Sequence, residues 1–206
     1  MPIRFLYFDL GNVLLSFSTH RFCEQVARTL GVDTGVVEPL LAPQGDLPST
    51  FWQFERGDIT PDELHTRLCE LGACDIPVEV IAQAASDIFT PIDENLALVE
   101  GLHSAGHKLG ILSNTNPWHW RFVTDHFPLF STAFDQIVTS YEARAMKPEA
   151  AIYEYAIERA GVEPSEIFFV DDRPENVEGA TAAGLDAVVY RDAASLMDEL
   201  RSRGIA

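Results

Sequence analysis

Five short apolar runs, each closed by polar or turn-forming residues, constrain the fold of this chain more than any other feature. They are Ile3-Arg4-Phe5-Leu6-Tyr7-Phe8, Lys108-Leu109-Gly110-Ile111-Leu112, the weaker Ile137-Val138-Thr139, residues 167–170 and residues 187–190. Runs of this length between turn residues read as β-strands. Helical patterns stand between the later ones. The first leads from Asp93 through Leu98, Val99 and Leu102 to Gly106, and two more over 148–160 and 174–183 stop at Gly161 and Gly184. Strands separated by single helices predict an α/β fold, a doubly wound parallel sheet with helices on both faces.

Between Phe17 and Phe89 the strand signal disappears. Phe22, Val26 and Leu30 recur at helical spacing up to Gly31, and Thr60-Pro61-Asp62-Glu63 is a capping box leading into Leu64, Leu68 and Leu71. Pro77 opens a further helix through Val80, Ile81, Ala84, Ala85 and Ile88. An all-helical insert over 17–89 is therefore expected, splitting a core made of 1–16 and 90–206.

Composition narrows the function. With 14 Lys and Arg against 32 Asp and Glu, the formal charge is −18, which argues against a nucleic-acid backbone or an anionic membrane surface as partner. No apolar run reaches the roughly 18–20 residues of a membrane span, and the first residues lack a signal-peptide layout, so a cytoplasmic protein is expected. Cys23, Cys69 and Cys74 are odd in number and scattered, which predicts neither a disulfide framework nor a zinc site.

In open α/β sheets, ligands bind beyond the carboxyl ends of the strands. Asp9, Ser113-Asn114 and Asp171-Asp172 follow predicted strands, and Lys147 stands in the loop after the weak one. Asp9 suits a nucleophile, a metal ligand or a helix cap. Ser113 and Asn114 can donate to an anionic oxygen or serve a turn. Lys147 shares the chain with only one other lysine, Lys108, and is a point charge suited to a phosphate oxygen, or else an exposed loop residue. Asp171 and Asp172 repel unless a cation such as Mg²⁺ sits beside them, while Asp172 could also cap the helix at Pro174.

Their joint order resembles the motif series of the haloacid dehalogenase-like (HAD) hydrolases over essentially the whole chain. The strings Phe8-Asp9-Leu10-Gly11-Asn12-Val13, Leu112-Ser113-Asn114-Thr115-Asn116, Met146-Lys147-Pro148-Glu149 and Phe169-Val170-Asp171-Asp172 with Asn176 carry it. Together with Phe54-Glu55-Arg56-Gly57 they are similar to the branch of bacterial sugar-1-phosphate phosphatases typified by the α-D-glucose-1-phosphate phosphatase. The resemblance implies a Mg²⁺-dependent phosphomonoester hydrolase acting on a small phosphorylated metabolite, a sugar phosphate such as a sugar-1-phosphate. Asp9 would be the nucleophile, forming an aspartyl-phosphate. Asp9, the Gly11 carbonyl and Asp172 would bind the metal, with Asp171, helped by Asn176, beside it orienting metal-bound water. Ser113 and the Asn114 backbone would hold the phosphoryl oxygens, and Lys147 would offset their charge.

One position departs from the pattern. Family phosphatases place a second aspartate two residues after the nucleophile as general acid, and here that residue is Gly11. The metal role survives through the carbonyl, but a donor typically worth about 10²–10⁴-fold is missing. A leaving group that departs well, such as an anomeric oxygen, is expected. The helical insert would be the cap, with Phe51, Trp52, Glu55 and Arg56 as candidates to face substrate and His119 to line the entrance. A 2-haloacid dehalogenase and a non-catalytic phosphometabolite-binding protein remain alternatives, and a monomer or homodimer is expected.

Overall fold

The computed structural model describes residues 2–43 and 48–205, so positions 44–47 of the expected insert lie outside the described residues. The chain begins with β1 (Phe5–Phe8), turns at Gly11 and Asn12 into β2 (Leu15–Phe17), and enters α1 (Thr19–Leu30), α2 (Thr34–Val37), α3 (Thr50–Arg56), α4 (Pro61–Gly72) and α5 (Val78–Ser86). It returns through β3 (Phe89–Pro91) to α6 (Asp93–Ser104), β4 (Leu109–Ser113), α7 (Pro117–His126), α8 (Leu129–Thr132), β5 (Gln136–Thr139) and α9 (Ser140–Ala143). The last elements are α10 (Ala150–Ala160), β6 (Ile167–Asp171), α11 (Pro174–Ala182), β7 (Asp186–Val189) and α12 (Ala193–Ser202).

Five strands pair in the order β5-β4-β1-β6-β7, and every pairing is parallel. All four residues of β1 are buried because the sheet is covered on both faces. Leu6 and Phe8 point into one apolar cluster with Ile111, Phe168 and Val170, while Phe5 and Tyr7 point into another with Leu112, Tyr153 and Phe169. The two-residue period of the strand thus feeds two cores.

The insert has a third apolar cluster of its own, centred on Phe22, Val26, Phe51, Phe54, Leu64, Leu68 and Ile81. Two of its helix ends are those foreseen by sequence, while the helix expected through Ile88 stops at Ser86. Thr60 and Glu63 form the capping box, and Gly31 closes α1 in the left-handed region at φ 70°. One core residue joins this cluster: Trp118 of α7 packs against Phe54, ring centroids 5.2 Å apart.

Several expectations are corrected. The insert is entered and left through an antiparallel ribbon, β2 with β3, so residues 17 and 89 belong to strands rather than helices. Three-residue strands are too short to announce themselves by alternation. The helix expected from Pro148 begins at Ala150. Ile92, not Asp93, occupies the N-cap of α6, and α12 has only Leu196 and Leu200 as buried anchors, too few to mark it. At the end of α4 a left-handed turn at Ala73 bonds the Cys74 N–H to the Cys69 carbonyl at 3.1 Å. Both thiols are free. No described helix is long and apolar enough to cross a membrane.

Candidate active site

Strand register assembles the site. Phe8 pairs with Val170 on one side and Ile111 on the other, so Asp9 and Asp171 emerge side by side with Ser113 on the neighbouring strand. Lys147 reaches into this group from the loop before α10, and it is buried, not an exposed loop residue. Its ammonium lies 2.7 Å from Asp9 Oδ1, 2.6 Å from Asp171 Oδ2 and 2.8 Å from the Leu112 carbonyl oxygen. Those three acceptors match its three N–H donors. Burial opposes the lysine charge, yet the two carboxylates and their hydrogen bonds hold its pKa above the ordinary lysine value. Burial pushes Asp9 up to about 6, against the downward pull of Lys147. Asp9 Oδ1 also accepts from the Leu10 N–H at 2.7 Å, and among the described residues nothing donates to Oδ2.

Asp171 is spent inside this network. Oδ1 accepts from the Arg173 N–H at 2.9 Å and from Asn176 Nδ2 at 2.9 Å, while Oδ2 takes Lys147 and Asn176. The residue is wholly buried and positions the lysine. Asp172 does not cap α11. Arg173 holds that position, and Asp172 Oδ2 instead accepts from Asn12 Nδ2 at 3.0 Å. Asn12, in the left-handed region at φ 55°, thereby ties the nucleophile loop to the second carboxylate. Sequence reasoning passed over it as a turn residue. Oxygens of Asp9, Asp171 and Asp172 lie within 4.8 Å of one another. Three carboxylates against one ammonium make a negative, all-oxygen donor set that fits a hard divalent cation.

Ser113 is buried at the end of β4. The Asn114 side chain is used structurally: its Oδ1 accepts from the Lys147 N–H at 2.8 Å and its Nδ2 donates to the Lys147 carbonyl at 3.0 Å. Only the Asn114 backbone remains for a ligand. Beside Asp9, Gly11 has ordinary backbone angles, but a Cβ there would stand 3.1 Å from Cε1 of Phe17. The ring of Phe17 thus lies against position 11.

The cap helix α3 is fastened to the core at several points. The Ser140 hydroxyl lies between the carbonyl oxygens of Glu55 (2.6 Å) and Thr115 (2.9 Å) and accepts from the Thr115 N–H at 3.0 Å. Arg56 pairs with Glu149 and stacks over Trp52 at 5.3 Å. Trp52 is half-buried under that guanidinium. The Glu55 carboxyl has no partner among the described residues, and burial pushes it up to about 7. Ser140 could not be found by sequence, since its partner at Glu55 is 85 positions away.

His119 does not line the entrance. Its Nε2 bonds the Ala85 carbonyl at 3.1 Å, and Nδ1 faces Asn116 Nδ2 at 3.0 Å, so both ring nitrogens are taken by protein. Burial, opposed by the Ala85 bond, lowers its pKa to about 4 and keeps it neutral. It ties the Ser113 loop to the cap. Asp9 and Ser113 are little exposed, at 7% and 2%.

Known proteins share this arrangement. The family model for haloacid dehalogenase-like hydrolases matches residues 4–184. The D-ribitol-5-phosphate phosphatase of Bacteroides thetaiotaomicron is 29% identical over 157 residues, covering 73% of this chain and 75% of that protein. The chloroplast flavin mononucleotide hydrolase 1 of Arabidopsis thaliana is 27% identical over 158 residues, 77% of this chain and 63% of that protein. A HAD-family enzyme from B. thetaiotaomicron, solved with magnesium and inorganic phosphate, superposes with a TM-score of 0.79 at 28% identity, covering 92% of this chain and 94% of that one. With its strand-end carboxylates and lysine arranged on a five-stranded parallel sheet, this chain belongs to the haloacid dehalogenase-like hydrolase family.

Proposed function

We propose that this chain, a phosphatase of the family, is a Mg²⁺-dependent phosphomonoester hydrolase acting on a small phosphorylated metabolite, a sugar phosphate such as a sugar-1-phosphate. The observation that carries the reading is the buried Lys147, whose ammonium bridges Asp9 and Asp171 while Asp9 Oδ2 stays open. An ion-paired carboxylate stays ionised in a buried site, which is the state a nucleophile needs.

Asp9 Oδ2 would attack phosphorus in line, the ester oxygen would leave with its bonding pair, and water would then hydrolyse the aspartyl-phosphate. The Ser113 hydroxyl and the Asn114 N–H would donate to the phosphoryl oxygens. Lys147 would offset negative charge in the transition state from a fixed position, with Asp171, Asn176 and the Asn114 side chain holding it there. Mg²⁺, held by Asp9, Asp172 and the Gly11 carbonyl, would supply the positive charge that lets a phosphate dianion approach a carboxylate. The named substrate of the relative, D-ribitol 5-phosphate, supports a small phosphorylated metabolite, and the magnesium and phosphate in the similar structure support the cation. Asp172 weighs against a haloacid dehalogenase, whose attack on carbon needs no cation and no further carboxylate beside the nucleophile. We place it in the cytoplasm, with no nucleic-acid or membrane partner.

Phosphate release from a panel of phosphomonoesters, with Mg²⁺ and with EDTA, tests this. Magnesium-dependent release that Asp9→Asn abolishes is the expected result. Release unaffected by EDTA, or retained by Asp9→Asn, would overturn it.

A further inference from the structure

Gly11 and Phe17 together describe a surface that the reaction above does not use. Phe17 is 43% exposed, the only aromatic among the large exposed hydrophobic residues described, and it belongs to none of the three apolar clusters. The ring is left out of every core, on a ribbon whose other strand carries Phe89 as its register partner. Its location is specific. The Cε1 edge stands 3.1 Å from where a side chain at position 11 would begin, two residues from the nucleophile.

We propose that Phe17 forms a leaving-group subsite for esters in which a ring is bonded directly to the phosphate oxygen, through an anomeric or an aryl carbon. The proposal rests on the phosphatase reading and deepens it. Two independent demands converge on this class. Without a donor at Gly11 the oxygen departs as an anion, which anomeric and aryl oxygens bear better than an alkyl alkoxide does. A ring attached at that oxygen also brings a flat C–H or π face within reach of the phenyl ring, whereas an open polyol chain presents hydroxyls to it. In the balanced step, the P–O bond to the leaving group breaks as the bond to Asp9 Oδ2 forms. The oxygen carries the electron pair away and takes its proton from water.

The test compares α-D-glucose 1-phosphate, phenyl phosphate and glycerol phosphate on wild type, Phe17→Ala and Phe17→Trp, with Mg²⁺ present. Wild type is expected to prefer the two ring-attached esters. Phe17→Ala should raise KM for those two by about tenfold, the worth of a lost aromatic contact, with kcat and the glycerol phosphate constants unchanged. Phe17→Trp should keep the wild-type pattern. Adding a donor with Gly11→Asp in the Phe17→Ala background should raise kcat for glycerol phosphate more than for phenyl phosphate. Equal changes for all three esters in Phe17→Ala would make the ring structural, and no change would make it idle; either result overturns the subsite while leaving the phosphatase intact. Failure of wild type to release phosphate from any ester removes both.

Discussion

Burial raises the pKa of both Asp9 and Glu55, and the two acids differ in what stands beside them. Asp9 stands at the end of a central strand with an ammonium 2.7 Å away, itself anchored by Asp171 and a backbone carbonyl. Glu55 stands on a cap helix with no cation and no donor among the described residues, and burial alone pushes it up to about 7. The core compensates its charges before substrate arrives, so the nucleophile is preorganised. The cap leaves one acid free to change protonation near neutrality. A compensated charge therefore belongs to the sheet, and an uncompensated acid to the cap.

The sharpest way to break this contrast is Lys147→Met. Removing the ammonium leaves two buried carboxylates facing each other, a change of the kind that costs about 3–5 kcal/mol. Phosphate release should fall by roughly 10³-fold or more, and the urea midpoint should drop sharply. Unchanged stability would show that Asp9 is not compensated by this residue. Asp171→Asn should cost less, about 1–3 kcal/mol, because the lysine keeps Asp9 and the Leu112 carbonyl but loses a charged anchor. Its kcat should fall with little effect on KM.

The two regions also differ in how far they could be read from sequence. Asp9, Ser113, Lys147 and Asp172 were legible because each sits where an apolar run stops or a helix begins, a local pattern. What Asp171 does was not. Only the fold reveals that its oxygens are filled by Lys147, Asn176 and the Arg173 N–H, a set drawn from two segments. The seam was hidden almost entirely. His119 finds the Ala85 carbonyl 34 positions away and Ser140 finds Glu55 85 positions away, so no local periodicity carries either contact. Phe17 read as the start of a helical insert because three strand residues give no period to recognise. The five-strand order was likewise an outcome of packing, while its parallel sense followed from the alternation of elements.

Smaller perturbations address the seam. His119→Phe keeps the ring but strands the Ala85 carbonyl and the Asn116 amide, costing about 1–2 kcal/mol by denaturant unfolding at pH 7. In wild type the depressed pKa of His119 means its stabilisation is full above about pH 6.5 and is lost as pH falls toward 4. The gap between wild type and His119→Phe should therefore narrow in acid.

Glu55→Gln should have the smallest effect, and its sign is the informative part. Because the folded pKa is raised from 4.5 to about 7, wild type is favoured fully below 4.5 and loses that contribution as pH rises through 7. The variant lacks this loss, so it should match wild type at pH 4.5 and be the more stable protein at pH 8. A wild type more stable than the variant at pH 8 would mean that Glu55 is ion-paired in solution, and the contrast with Asp9 would disappear.

Trp118 gives the seam one further property. It is encoded in the core, yet its indole is sealed into the apolar cluster of the cap against Phe54. Lifting the cap must draw that ring out toward water, so opening is opposed by the same transfer free energy that buries any large aromatic. The molecule accordingly carries its own optical gauge. Of the three tryptophans in the chain, Trp52 stands on the cap helix α3 and Trp118 in the cap's cluster, so in a Trp52→Phe background the red shift of indole emission on opening follows the lid without any added label.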